Sequence, residues 1–442
     1  MTSKSLITPD TVHSSLGKHI LADGFNMVLD LKKSQGPYLH DARGGRSYLD
    51  FFTYFASNPL GMNHPKMVDN AEFREKIGFV AMHNPSNSDI YTAEMAEFVE
   101  TFSRIGIPKS MPHAFFVAGG ALAVENALKV AFDWKVQKNF EKGYRIEKGH
   151  KVLHFDQAFH GRTGYTMSLT NTEPSKVALF PKFEWPRIVN PKIHFPIDET
   201  STELVIAREK KAIAQAEQYF RTFRDDIAAI IIEPIQGEGG DNHFRPEFHQ
   251  VLRDLANEHE ALLIHDEVQT GIGVTGKFWA HEHFVEPDIL AFGKKAQVCG
   301  ILAGKRIDDL KTNVFRVSSR INSTWGGNLV DMIRFARYLE IIEEDKLVDN
   351  AANTGAYLLE QIHAVTDEFD TVTGARGRGL MCAFDFVDPA VRRKFLDANF
   401  KNGLLMLSCG THAVRFRPPL TIGKEHVDEG IAIVRKSLQE IS

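Results

Sequence analysis

Short apolar runs, each closed by polar or glycine residues, recur through the first two-thirds of the chain: His113 to Ala118, Lys151 to Phe155, Ala228 to Ile232, Ala261 to His265 and Asp288 to Phe292. Runs this short, with little polar alternation, suit strands buried on both faces. Between them apolar residues fall at helical spacing, as at Ala123, Ala127, Val130, Ala131 and Trp134, and again at Phe248, Leu252, Leu255 and Ala256. Steps of three and four gather those residues on one helix face. Strand and amphipathic helix in alternation predict an α/β fold, a mostly parallel sheet covered by helices. Such sheets bind ligands at the carboxyl ends of their strands, so the chemistry is sought just after each run.

From about Trp325 the pattern changes. Long helical stretches cover Asp331 to Glu344 and Ala351 to Phe369, and short strands follow at Gly379 to Phe386 and Ala413 to Phe416. A smaller α+β domain is expected there. The 442 residues exceed the size at which a single core stops growing. The expected division is an N-terminal segment, 1–60, contributing to the small domain; a large domain, 61–325; and a C-terminal small domain, 326–442.

Composition serves mainly to exclude. Lys and Arg number 52 against 57 Asp and Glu, a formal net charge of −5, which gives no basic field for nucleic acid. The apolar run Ile227 to Ile232 is far short of the roughly 20 residues that cross a bilayer, so no membrane partner is expected. Met1 to Asp23 mixes Lys4, Asp10, Lys18 and Asp23 among apolar pieces, unlike a secretory leader. Cys299, Cys382 and Cys409 are widely separated and odd in number. No disulfide framework follows, and a cytoplasmic location is expected.

Two tempting motifs fail on spacing. Gly271, Gly273 and Gly276 have the pattern of a dinucleotide-binding turn, but Asp266 to Thr270 separate them from the preceding strand and only a short helical stretch, Lys277 to His283, follows. His281-Glu282-His283 and His265-Asp266 lack the spacing that sets two histidines on one helix face, so no metal is expected.

A constellation does better. Ala261 to Asp266 is an apolar strand ending in a carboxylate, and Pro287 to Lys294 is a second strand ending in a lysine. If the strands are neighbours joined by a crossover, Asp266 and Lys294 meet at the carboxyl edge of the sheet. Either alone has a bland reading, a helix cap or a solvated end. Together they meet the needs of pyridoxal 5′-phosphate: a lysine amine for a Schiff base and a carboxylate to keep the pyridine nitrogen protonated. Phe116 to Lys129 adds glycines that end a strand and open a helix, where Gly120 and Ala121 offer backbone N–H groups and the positive end of a dipole to a phosphate. Phe159-His160-Gly161-Arg162 follows a third strand and offers a ring to stack on a cofactor face.

These residues, with Glu233-Pro-Ile-Gln-Gly-Glu238-Gly-Gly-Asp241, Asp266-Glu-Val-Gln269, Gly293-Lys294-Lys295, Ser323-Thr324-Trp-Gly-Gly-Asn328 and Arg415-Phe-Arg417-Pro-Pro, resemble the class III, fold-type I pyridoxal-phosphate aminotransferases in order and spacing over nearly the whole chain. Within that class the chain resembles members that transfer the ε-amino group of L-lysine to 2-oxoglutarate, giving 2-aminoadipate 6-semialdehyde and L-glutamate; 4-aminobutyrate aminotransferases are the alternative. Gly119 to Leu122 departs from the class in lacking hydroxyl and carboxylate side chains, which leaves the phosphate more to backbone N–H groups.

The resemblance implies a role for each residue. Lys294 would hold the cofactor, with Lys295 as fallback, and Asp266 would pair with the ring nitrogen. Gln269 would bond the ring oxygen, Phe159 would stack on the ring, and Gly120, Ala121 and Glu233 would complete the cofactor site. Arg162 would bind the substrate carboxylate distant from the reacting carbon, and Arg415 the α-carboxylate of glutamate. Glu238 would neutralise Arg415 while lysine is bound, unless that pair is a fixed salt bridge. Asn322 would touch substrate. Thr324 would reach the phosphate of the neighbouring subunit's cofactor, implying a homodimer with shared sites.

Overall fold

A computed structural model describes residues 7–441 of the chain, so the first six residues of the expected 1–60 segment and the last residue of the 326–442 domain lie outside the described residues. The central sheet has seven strands in the spatial order His113–Val117, Cys299–Ala303, Ile289–Phe292, Leu262–Asp266, Ile227–Ile232, Lys151–Phe155 and Arg187–Ile188. Neighbours run parallel, except that Cys299–Ala303 is antiparallel to the strands on both its sides.

The five predicted strands are all present. Their alternate side chains feed two cores, as strand geometry requires. Ala229 and Ile231 join Val117, Val152 and the helix Gly120–Glu141 on one face. Ile230 and Ile232 join Leu153, Leu263 and the helices Glu199–Thr222 and Pro246–Glu258 on the other. Pattern reading missed Arg187–Ile188, which is two residues long, and Cys299–Ala303, whose run Cys-Gly-Ile-Leu-Ala follows Lys294 too closely to read as a separate element.

After the helix Leu329–Glu344 comes Leu347–Glu368, and then a four-stranded antiparallel sheet ordered Val372–Arg378, Met381–Phe386, Ala413–Phe416, Leu407–Cys409. The expected strand from Gly379 is corrected here. Gly379 has φ +56 and, with Leu380, forms the tight turn between paired Arg378 and Met381, so the strand starts two residues later. The N-terminal strands Tyr38–His40 and Ser47–Asp50 pair with each other, and Ser47–Asp50 takes Leu404–Leu405 as a parallel neighbour. The start of the chain is thereby stitched onto its C-terminal part. Beneath the sheet's carboxyl edge, Phe102 packs edge-on against Phe292 and Phe335, tying the Lys294 strand to the helix Leu329–Glu344.

Candidate active site

The register sets Asp266 opposite Ala291, so the two strands deliver the carboxylate and the Gly293-Lys294 segment to one edge of the sheet. There a cavity of about 290 Å³ is lined by Gly120, Ala121, Phe159, His160, Gly161, Arg162, Glu233, Asp266, Val268, Gln269 and Lys294. In the sequence these residues are scattered from Gly120 to Lys294. The strand ends bring them together.

Lys294 has φ +51, a conformation that costs a side-chain-bearing residue energy and recurs where function over-determines the backbone. Burial and then the charge of Arg415 bring its amine down to about 8, against a weaker opposing pull from Asp266. Lys295 is buried and turns away, donating to the carbonyls of Gln269 at 2.7 Å and Ala56 at 3.2 Å. The fallback position is thus engaged in holding backbone.

Asp266 is held by two donors: the amide of Val268 reaches Oδ1 at 3.1 Å, and His160 Nδ1 lies 2.8 Å from Oδ2. The His160 side chain has no exposed surface. The sequence offers His160 no role beyond its place directly after Phe159. Glu233 lines the cavity, but its oxygens accept from the amides of Phe159 at 2.9 Å and Gly237 at 3.1 Å. It braces two loops of the site. Burial pushes its carboxyl up to about 7.

Gln269 Oε1 accepts from Arg417 Nε and Nη2, both at 3.3 Å, and Arg417 is itself ion-paired with buried Asp241. A guanidinium demands an oxygen, which leaves the Gln269 amide to offer its N–H groups to the cavity. Gly120 opens the 22-residue helix Gly120–Glu141 with no side-chain cap, so the first-turn N–H groups are free for an anion. A Cβ there would sit 2.8 Å from Val268 Cγ1, so a larger residue would have to displace that side chain.

Above the cavity, Arg415 Nη1 meets Glu238 Oε2 at 2.9 Å. The other Glu238 oxygen takes the amine of Lys176 at 2.5 Å, and the same amine lies 5.6 Å from the centre of the Phe159 ring. Lys176 carried no sequence signal. The Arg415 guanidinium also lies 5.8 Å from the Phe55 ring. Phe55 belongs to a run of four side-chain-bearing residues with positive φ, Thr53 to Ala56, anchored by Thr53 Oγ1 donating to the carbonyl of Arg417 at 2.6 Å. Arg162 lines the cavity and forms no ion pair among the described residues. Asn322 and Thr324 do not line it. Both are exposed, on a loop fastened by Ser86 Oγ donating to the Thr324 carbonyl at 2.5 Å.

The rejected motifs have structural duties. A Cβ on Gly271 would sit 2.6 Å from Trp279 and one on Gly276 2.9 Å from Ala352, so those glycines admit close packing. His281 Nδ1 lies 2.9 Å from Glu267 Oε1. Cys299, Cys382 and Cys409 are free and buried. Among the described residues no helix is long and apolar enough to cross a membrane.

The cavity meets the demands of pyridoxal phosphate: an amine at Lys294, a braced carboxylate at Asp266, an uncapped helix start at Gly120, and a Gln269 amide oriented to donate. Comparisons agree. The family model for class III aminotransferases matches residues 20–438. L-lysine-epsilon aminotransferase of Mycobacterium bovis is 51% identical over 437 residues, 98% of this chain and 97% of that protein. A solved structure of lysine aminotransferase from M. tuberculosis in the internal aldimine form superposes with a TM-score of 0.96 at 51% identity, covering 99% of this chain and 100% of that one. A 4-aminobutyrate aminotransferase of Emericella nidulans is more distant, 32% identical over 436 residues, 94% of this chain and 86% of that protein. Pyridoxal phosphate is the cofactor, and the chain belongs to the class III aminotransferases.

Proposed function

We propose that this enzyme moves the ε-amino group of L-lysine to 2-oxoglutarate, yielding 2-aminoadipate 6-semialdehyde and L-glutamate. The observation that carries the reading is the 2.9 Å pair between Arg415 and Glu238 above Lys294. The pocket must accept a terminal amine with no neighbouring carboxylate in one half-reaction and the α-carbon of glutamate in the other. A buried guanidinium without a partner is costly, so Glu238 covers Arg415 while lysine is bound and yields it to the glutamate α-carboxylate. Arg162, free of ion pairs at the cavity wall, takes the distant carboxylate in both cases. The 51% identity to lysine ε-aminotransferases, against 32% for the 4-aminobutyrate enzyme, supports this choice of donor.

Pyridoxal phosphate, when bound, supplies a carbonyl that condenses with amines and a ring that withdraws electrons from the amine-bearing carbon. Asp266, steadied by His160, is the carboxylate that would keep a proton on a ring nitrogen placed against it. The Lys294 amine, with its pKa lowered to about 8, is fit to accept a proton from the substrate carbon and return it one position away. Gln269 would donate to a ring oxygen, Phe159 would cover one face, and the backbone N–H groups of Gly120 and Ala121 would hold the phosphate. The domain division given above stands as our proposal.

We read Thr324 as reaching the cofactor phosphate of a partner subunit in a cytoplasmic homodimer, with Asn322 beside it near the substrate. Ile90, Tyr91 and Trp325 support this: they leave 68, 76 and 50% of their surface exposed around the fastening of Ser86 to Thr324. Rapid mixing of the holoenzyme with L-lysine or 4-aminobutyrate tests the donor. The cofactor spectrum is expected to change with L-lysine, and glutamate to form once 2-oxoglutarate is added. A response to 4-aminobutyrate alone would transfer the reading to that substrate.

A further inference from the structure

A second cavity lies outside the catalytic site. It measures about 690 Å³ and is formed where the outermost strands, Lys151–Phe155 and Arg187–Ile188, end beside the helix Glu199–Thr222. None of its lining residues lines the Lys294 cavity. Arg187, Lys192, His194, Arg208 and Lys211 face it, with Asp156 as the one carboxylate among the lining residues. That carboxylate is engaged by Arg187 Nε at 3.2 Å.

The other cations have no such partner. Lys192, Arg208 and Lys211 form no ion pair among the described residues. The acids that might serve them are committed elsewhere. Glu209, on the helix of Arg208, is held by Arg245 Nη2 at 2.7 Å, and Asp385, which acts on Lys192, is held by Arg376 Nη2 at 2.7 Å. Lys192 is largely enclosed, and burial lowers its pKa, with Arg376 and Arg208 adding to this against the opposing pull of Asp385. His194 contributes a buried Nε2 with no hydrogen-bond partner. Burial, and then the charges of Arg208 and Lys192, lower its pKa.

Three cations without an ion pair line one concavity, and the charge of Arg208 already acts on Lys192, so an anion placed among them is favoured. We propose that this cavity is a second binding site, for a small anion carrying two or more negative charges on phosphate or carboxylate oxygens. Three uncompensated cations set the charge requirement, and the volume admits a molecule larger than a single phosphate.

Calorimetric titration of the holoenzyme at constant ionic strength, with pyrophosphate in one series and citrate in another, tests this. Using the holoenzyme keeps the phosphate seat at Gly120 filled. One saturable site per chain is expected for at least one of the two anions, and which of them binds identifies the source as phosphorylated or polycarboxylate. The double variant Lys192→Gln/Arg208→Gln should weaken it at least ten-fold while L-lysine turnover is unchanged, since neither residue touches the catalytic cavity. The surface variant Lys211→Gln should weaken it by a smaller factor and guards against misfolding of the first. Absence of saturable heat in the parent, or parent-like affinity in both variants, would overturn the proposal; the second result would locate the anion at Arg162 or Arg415.

Discussion

His160 presents Nδ1 to Asp266 Oδ2 at 2.8 Å, so this cavity-lining carboxylate is aimed by an imidazole with no exposed side-chain surface. Asp266→Asn should lower turnover by about 10²-fold or more, roughly 3 kcal/mol of transition-state stabilisation. His160→Gln keeps a donor but loses the imidazole, and should cost far less, with the larger effect on the pH profile. Single-turnover kinetics across pH check both; equal losses would give His160 a direct part in the chemistry.

Borohydride reduction of the holoenzyme followed by peptide mapping should place the cofactor on Lys294. Lys294→Ala should bind cofactor noncovalently and not turn over. Lys295→Met should affect stability instead: it leaves the Gln269 and Ala56 carbonyls without their buried donor, worth about 1–3 kcal/mol. A label on Lys295 would reverse the assignment.

The Glu238 pair should split the half-reactions. Glu238→Ala exposes the Arg415 guanidinium to the lysine side chain and should slow the L-lysine half-reaction while sparing glutamate; loss of a charged partner in an enclosed site costs about 3–5 kcal/mol. Arg415→Ala should abolish reaction with glutamate and 2-oxoglutarate and keep the spectral response to L-lysine. Half-reactions measured separately distinguish these, since steady-state constants mix them. Matching losses in both half-reactions for both variants would mark a fixed salt bridge.

Glu238 also carries a pH signature. Burial alone would raise its pKa, but Arg415 and Lys176 outweigh burial and bring it to about 2. The folded-state value lies below the unfolded one, so the stabilisation is present above the ordinary glutamate value near 4.5 and is lost as pH falls toward about 2. The Tm difference between parent and Glu238→Gln should therefore be largest at pH 5–7 and shrink below pH 4.5. A difference that grew with acid would contradict the ion pairs.

Much of the sheet and of the cavity floor was legible because buried strands leave compact apolar runs and the chemistry sits at their ends: Asp266 and Lys294 each close one. What stayed hidden depends on contacts across the chain. Lys176, on a four-residue helix, becomes relevant only when folding brings it to Glu238. Arg417 acts through the Gln269 amide, and Phe55 through a left-handed turn with no glycine to announce it. Glu233 was legible as a site residue, but not that its oxygens face backbone amides instead of the cofactor.

The bond from Thr53 Oγ1 to the Arg417 carbonyl joins residues 364 positions apart. A ribosome therefore releases the parts of this site out of order. Gly120, Asp266 and Lys294 emerge first, and Arg415 follows roughly 120 residues later, about 6–24 s at a translation rate of 5–20 residues per second. Throughout that interval the nascent chain holds Lys294 and Glu238 without the guanidinium that pairs with that carboxylate. The Arg415–Glu238 ion pair is among the last contacts of the site that synthesis makes possible.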